Sequence, residues 1–375
     1  MAKNYSFIIV LIFSLSLLAI YSCSNDGDDN NYQPISPVTV DLSQVPYTKL
    51  SDYKFFEGDL KNLNPSLGVL PYEPASNLFA DYAHKKRFVW LPNGTKATYN
   101  GDHKVLELPV GSVLIKNFYY DNVLPTNSTK LIETRLMIRK STGWIFANYV
   151  WNDEQTEAFF DLDGSFVPIS WVENGQTKNA IYRIPSEVQC ITCHKTEAYV
   201  GGVLVTTNIP IGIKPQNLNF NYNYSSGSKN QLLKWIENGL LENNFSLPSS
   251  QNTAVNYDDN TQSLEKRVRS YFDINCAHCH TEGGHCSYRP MRFAFDDTYN
   301  NNSNMGVCVD TQDMQDFPPA LSKIITPGNK DRSMLYYRLN TTDESFRMPL
   351  HGRTIIHTEG IQLIEQWINS LSPCP

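Results

Sequence analysis

Leu131-Ile132-Glu133-Thr134-Arg135-Leu136-Met137-Ile138, then Ser141-Thr142-Gly143, then Trp144-Ile145-Phe146-Ala147-Asn148-Tyr149-Val150-Trp151 decide how the first half of this chain is read. Both flanks are rich in β-branched, aliphatic and aromatic residues, and the first partly alternates apolar with polar. Ser-Thr-Gly between them is turn chemistry, so the stretch predicts a β-hairpin. The same signature recurs on either side. Asn93-Gly94 separates the apolar runs 88–91 and 95–99, Asp163-Gly164 and Asn174-Gly175 punctuate the region after 151, and 105–118 is again aliphatic. Asn-Gly and Asp-Gly between such runs are the strongest short-range hairpin signals. Residues 45–184 therefore predict an antiparallel, hairpin-rich sheet.

The pattern changes further along. Residues 197–258 are rich in Gly, Asn, Ser and Pro and read as a connector, with one helix over 229–238 that buries Leu232, Leu233 and Ile236 and stops at Gly239. After Thr261 the apolar spacing is helical. Leu264, Val268 and Tyr271/Phe272 share one face, a shorter helix is expected over 333–339, and 359–371 carries Ile361, Ile364, Ile368 and Leu371 beside Trp367, with Thr358 as its cap. The fold class expected is α+β and multidomain. A β-rich domain, 45–196, precedes a connector, 197–260, and an all-α domain, 261–375.

The start of the chain reads as an export signal over 1–22. Lys3 is followed by an apolar run shorter than the roughly 20 residues a bilayer span needs. It ends Leu18-Ala19-Ile20-Tyr21-Ser22-Cys23, which resembles a bacterial lipobox with Cys23 as the lipidated residue. Residues 23–44 open with Ser24-Asn25-Asp26-Gly27-Asp28-Asp29 and read as a flexible tether. The expected location is the cell envelope, membrane-anchored through lipid, facing the periplasm or the cell surface. Of the 375 residues 18% are charged and 41% hydrophobic, a globular balance, and the formal net charge of −7 with no basic face argues against nucleic acid.

Two motifs carry the chemistry. Cys190-Ile191-Thr192-Cys193-His194 and Cys276-Ala277-His278-Cys279-His280 are both C-x-x-C-H. Two thiols three positions apart on a helical turn can add to the two vinyl groups of one haem, and the adjacent His then falls under the iron. Zinc would use the paired thiols and leave the following His incidental. A redox dithiol would want a thioredoxin-like βαβ context, which the sequence lacks. Two haem c groups are expected, at Cys190/Cys193/His194 and at Cys276/Cys279/His280. Between Lys195 and Asn275 there is neither Met nor His, so a distal ligand for the first haem must come from His84, His103 or Met137, or be absent. His278 and His285 read as surface or haem-edge residues. Cys286, Cys308 and Cys374 remain, and Cys286–Cys308 is the expected disulfide, with Cys308–Cys374 the alternative.

The order helix, Cys276-to-His280 motif, Arg347-Met348-Pro349, helix resembles the class I cytochrome c domain. The resemblance implies Met348 as distal ligand of the second haem, with His351 its rival, and an inserted loop near 286–325. Residues 108–116 (Leu-Pro-Val-Gly-Ser-Val-Leu-Ile-Lys), with C-x-x-C-H at the end of the sheet, resemble the cytochrome c′-β group. That implies an open iron face and a place for Lys116 near the haem edge. Phe79-Ala80-Asp81-Tyr82-Ala83, Arg87-Phe88-Val89-Trp90-Leu91-Pro92, Glu133-Thr134-Arg135-Leu136, Asn275-Cys276-Ala277-His278-Cys279-His280, Pro327-Gly328 and Arg347-Met348-Pro349 together resemble a family of bacterial dihaem c-type cytochromes. The expected function is electron transfer in the cell envelope with redox proteins as partners. The alternative is a haem oxidoreductase with its active site at the first haem, and a non-redox binding lipoprotein ranks third.

Overall fold

The pleat of a strand sends successive side chains to opposite faces, and residues 113–118 use both. Val113 and Ile115 join an apolar cluster with Phe88, Leu136, Ile138, Ala147 and Tyr149, while Leu114 joins a second with Val89, Met137, Trp144 and Phe146. A sheet covered on both faces follows. The computed structural model describes residues 35–375, so the signal read over 1–22, Cys23 and residues 24–34 of the tether lie outside the described residues. By Val38 the chain is already packed: Val38, Val40 and Leu42 lie against the first cluster with Leu50, Tyr53 and Phe55.

Strands β1 (Phe56–Glu57) and β2 (Asn64–Pro65) form a small ribbon. The main sheet has eight antiparallel strands: β3 (Leu70–Tyr72), β4 (His84–Trp90), β5 (Val113–Val123), β6 (Ser128–Lys140), β7 (Gly143–Trp151), β8 (Ala158–Phe160), β9 (Ser165–Glu173) and β10 (Gln176–Ile184). Their order is β10-β9-β5-β6-β7-β8, with β4 on β5 and β3 on β4. Strand β5 is the hub: β4 and β6 flank its first part, and Val123 at its end meets Trp171 of β9. The hairpin expected from the opening stretch is β6–β7, closed at Lys140↔Gly143. The Asn174-Gly175 turn joins β9 to β10 with both residues at positive φ (51° and 75°), as a two-residue I′ turn requires. Residues 95–99 make only isolated bridges, Ala97 to Leu241 and Thr98 to Glu107.

Helix α1 (Glu187–His194) follows β10 directly and carries the first motif. Hairpin β11 (Lys195–Val200) and β12 (Val203–Asn208), helix α2 (Pro215–Leu218) and hairpin β13 (Asn221–Tyr224) and β14 (Gly227–Asn230) come next. Helix α3 (Gln231–Glu237) is the helix expected in the connector. Asn230 caps it by accepting from the N–H groups of Leu232 and Leu233. Its buried face uses Leu232 and Trp235, while Leu233 is exposed.

The expectation of an all-α C-terminal domain is overturned. Among the described residues strand outweighs helix, 29% against 19%, and the helices after Thr261 are short: α4 (Leu264–Phe272), α5 (Met334–Leu339) and α6 (Thr358–Ser370), of 9, 6 and 13 residues. Between His280 and Lys330 the chain runs through turns and isolated bridges such as Val307↔Ile325 and Asp310↔Lys323. The cause lies in composition. Gly283-Gly284, Asp296-Asp297, Asn300-Asn301-Asn302 and Pro318-Pro319 satisfy the backbone in turns and oppose helix propagation. Nor is this part separate, because residues Pro37–Pro375 form one compact unit. The Asp81 carboxylate accepts from Thr354 N–H (2.7 Å), Thr354 Oγ1 (2.9 Å) and Ile355 N–H (3.1 Å), and Lys214 pairs with Asp273 at 2.8 Å. Among the described residues no helix is long and apolar enough to cross a membrane.

Candidate functional site

Helix α1 leaves the end of β10 and lies over the sheet face that carries Leu114, Met137 and Phe146. Its start is tied by Gln189, whose side-chain oxygen accepts from Ser186 N–H at 3.2 Å. Cys190 is buried in the apolar cluster of that face, and burial pushes its thiol up to about 11. At the end of the helix the His194 ring stands edge-on to Phe146, centroids 5.3 Å apart, and its Nδ1 lies 2.7 Å from the Ile209 carbonyl. That contact fixes Nδ1 as the protonated nitrogen and leaves Nε2 free to ligate, the usual arrangement behind a metal-bound His. Burial lowers the His194 pKa to about 4, so the ring is neutral.

The second motif extends helix α4. One π-helical turn, Asp273–Ala277, carries Cys276, and such turns recur at functional sites. His280 is buried beside Phe293 (5.3 Å, edge-on), its pKa lowered to about 4 by burial, and its Nδ1 has no hydrogen-bond partner. Burial raises the Cys276 thiol to about 12.

The two motifs abut. The donor atoms of Cys193, His278 and Cys279 lie within 4.8 Å of one another. Cys193 is the member favoured as thiolate, because the Cys279 thiol and then His278 stabilise its charge, and Cys279 is correspondingly raised. His278, expected at a surface or haem edge, is partly buried at this junction. A cavity opens beside each motif, and Cys193, His278, Met348, Pro349 and His351 line both. Met348 is held from both sides of its peptide, its N–H donating to Arg338 O (2.8 Å) and its carbonyl accepting from Arg353 Nε (3.0 Å).

The cavities suit a covalently held macrocycle unequally. The second holds about 750 Å³, within the range of cofactor pockets, and Phe272, Met291, Phe293, Ile324, Leu335 and Leu339 give it apolar walls. With Cys276, Cys279, an orphaned His280 and Met348 on its lining, the residues there fit a haem. The first holds about 140 Å³. Its donors, Cys190, Cys193 and the anchored His194, fit the same group, but its walls must part to admit one.

Of the distal candidates read from sequence, Met137 lines the first cavity. His84 on β4 instead lies beside Asp121 of β5 (3.8 Å), and His103 bonds Gln216. His351 and Met348 reach the first cavity as well, which the sequence did not suggest. Lys116 lines it, joined by Arg135 and Asn148, which were not singled out. Alternation in 131–138, which puts Glu133, Arg135 and Met137 on one face, is the signal that could have found Arg135.

The expected Cys286–Cys308 disulfide is replaced by Cys308–Cys374, with sulfurs 2.06 Å apart and Cα atoms 5.8 Å apart. Cys286 is buried, its N–H bonds the Cys279 carbonyl (2.9 Å), and so it stays with the second motif. Comparison of the chain with protein-family models, with curated proteins and with solved structures found no match in any of the three.

Proposed function

We propose that this chain is an exported dihaem c-type cytochrome that carries electrons in the bacterial cell envelope. The observation that carries the reading is the abutment of two C-x-x-C-H motifs, each ending in a neutral His, across a shared wall of Met348, Pro349 and His351. Haem, when bound, supplies one-electron redox chemistry whose potential follows from axial ligand, burial and nearby charge. The thiols of Cys190 and Cys193, and of Cys276 and Cys279, provide the thioether links. His194 and His280 provide the ligating nitrogens, and Ile209 O orients the first of them. Met348 offers its sulfur to the second cavity, and apolar side chains there exclude water. The proximity of Cys193 to Cys279 places the two attachment points side by side, which favours electron exchange between them. Lipid on Cys23 would hold the protein at a membrane, with redox proteins of the envelope as partners.

The test is mass analysis of the mature polypeptide made with the c-type maturation machinery. Two added porphyrins are expected, and none at either pair overturns the reading. Two observations favour other readings. Lys116, Arg135 and Asn148 give the first cavity a polar wall, which suits an oxidoreductase with an open first iron. High-spin iron there that binds carbon monoxide selects that reading, and low-spin iron that ignores it selects pure transfer. The second is the trio Cys193, His278 and Cys279, which could hold a soft metal directly. One metal ion without porphyrin in the purified chain would select it.

A further inference from the structure

Four adjacent strands place four polar residues in one row. Arg87 on β4 pairs with Lys116 on β5, Lys116 with Arg135 on β6, and Arg135 with Asn148 on β7. Directly opposed residues of antiparallel strands point to the same face, so the side chains form a ladder along the face that walls the first cavity, which Lys116, Arg135 and Asn148 line. Lys85, two residues before Arg87, adds another basic side chain to the same face.

Among the described residues one carboxylate pairs directly with this row. Glu133 is fully buried, and its carboxylate is spent on Arg135, through Nε at 2.9 Å and a second contact from Nη2, and on the Tyr182 hydroxyl at 2.6 Å. Among the described residues no carboxylate pairs with Arg87 or Lys116. Arg87 is only 6% exposed and its Nη1 has no hydrogen-bond partner. Asn148 is 2% exposed, and both its Oδ1 and its Nδ2 are unpartnered. Buried polar groups are almost always satisfied, and each exception in a native fold calls for a partner. A donor amide beside two guanidinium groups and a lysine calls for an acceptor-rich, negatively charged one.

We infer that Lys116, Arg135 and Asn148, with Arg87 behind them in the row, form an anion site that takes one carboxylate or small oxyanion in the first cavity. Two sources share this chemistry: a free oxyanion, or the carboxylates of a porphyrin attached at Cys190 and Cys193. The first needs no prosthetic group, and the second rests on the function proposed above.

The experiment uses the full mature chain as purified with its maturation machinery, with sodium sulfate as probe against sodium chloride at matched ionic strength. Sulfate that raises the unfolding midpoint saturably, with affinity at least tenfold weaker in Lys116→Gln, identifies a free-oxyanion site. If sulfate is silent, the resonance Raman propionate-bending band of the first haem is compared between wild type and Lys116→Gln, and a shifted band assigns the site to the porphyrin carboxylates. A sulfate response unchanged by Lys116→Gln overturns the inference, as does silence with no shifted band. Because porphyrin content is measured separately by mass, the function proposed above can fail without deciding the sulfate result.

Discussion

Glu133 sits at the centre of the β6 strand with no solvent contact, and it is the one carboxylate that answers Arg135. Removing one partner of a buried pair leaves the other uncompensated, and here Arg87 and Lys116 already stand beside it. Glu133→Ala is therefore expected to lower stability by about 3–5 kcal/mol, read as a lower urea midpoint at unchanged slope. Met348 is a residue of a different kind, because it lines both cavities. In the cytochrome reading, Met348→Ala lowers the potential of the second haem and abolishes its sulfur–iron charge-transfer band. An unchanged band would remove Met348 from the ligand set and leave His351 as the candidate. Cys193 is the thiol of the four whose surroundings favour the thiolate, so it should react first with iodoacetamide in chain purified without its maturation machinery. Equal labelling of all four motif cysteines would contradict the site's electrostatics.

At the scale of elements, helix α6 is docked by its N-terminus. His357 precedes it, stacked on Phe79 at 4.2 Å and contacting Tyr271 Oη through Nδ1 at 3.2 Å. Burial lowers its pKa from 6.5 to about 4, which means the folded state holds the ring neutral. The unfolded chain binds the proton more readily between those values, so this contribution is complete above pH 6.5 and is lost as pH falls toward 4. Its size is on the order of 3 kcal/mol. His357→Gln should flatten the fall in unfolding free energy between pH 6.5 and 4, and an equally steep profile would show that another group sets acid stability. Hairpin β11–β12 stands in contrast to this docked helix. Tyr199, Val200, Val203 and Leu204 are exposed around the Gly201-Gly202 turn, while its base is held by the Ile209 N–H to His194 O bond (2.7 Å) and Glu197 N–H to Gly283 O (2.9 Å).

Across the whole molecule, the Cys308–Cys374 bond ties the irregular 281–333 segment to the end of α6, closing a loop of 66 residues. In the loop-entropy account such a closure stabilises by about 4 kcal/mol. Cys308→Ser should lose that amount in a denaturant melt, whereas Cys286→Ser should leave the Cys308–Cys374 disulfide intact, read as no alkylation of either cysteine before reduction. What could be read from sequence was local. The β6–β7 hairpin and the Asn174-Gly175 turn announce themselves in a few neighbouring residues, and helices near 264–272 and 358–370 follow from a 3.6-residue apolar period. The separate all-α domain was a misreading, since helical spacing at both ends says nothing about the turn-rich residues between them or about the contacts from Asp81 and Lys214 that bind this part to the preceding chain. By itself the sequence displayed the two C-x-x-C-H motifs, because each is written in five consecutive residues. Only the tertiary structure decided that Cys193 meets Cys279, that Cys374 and not Cys286 reaches Cys308, and that Arg87, Lys116, Arg135 and Asn148 share a row. Those juxtapositions depend on strand register and chain reversal over tens of residues, and no local pattern encodes them.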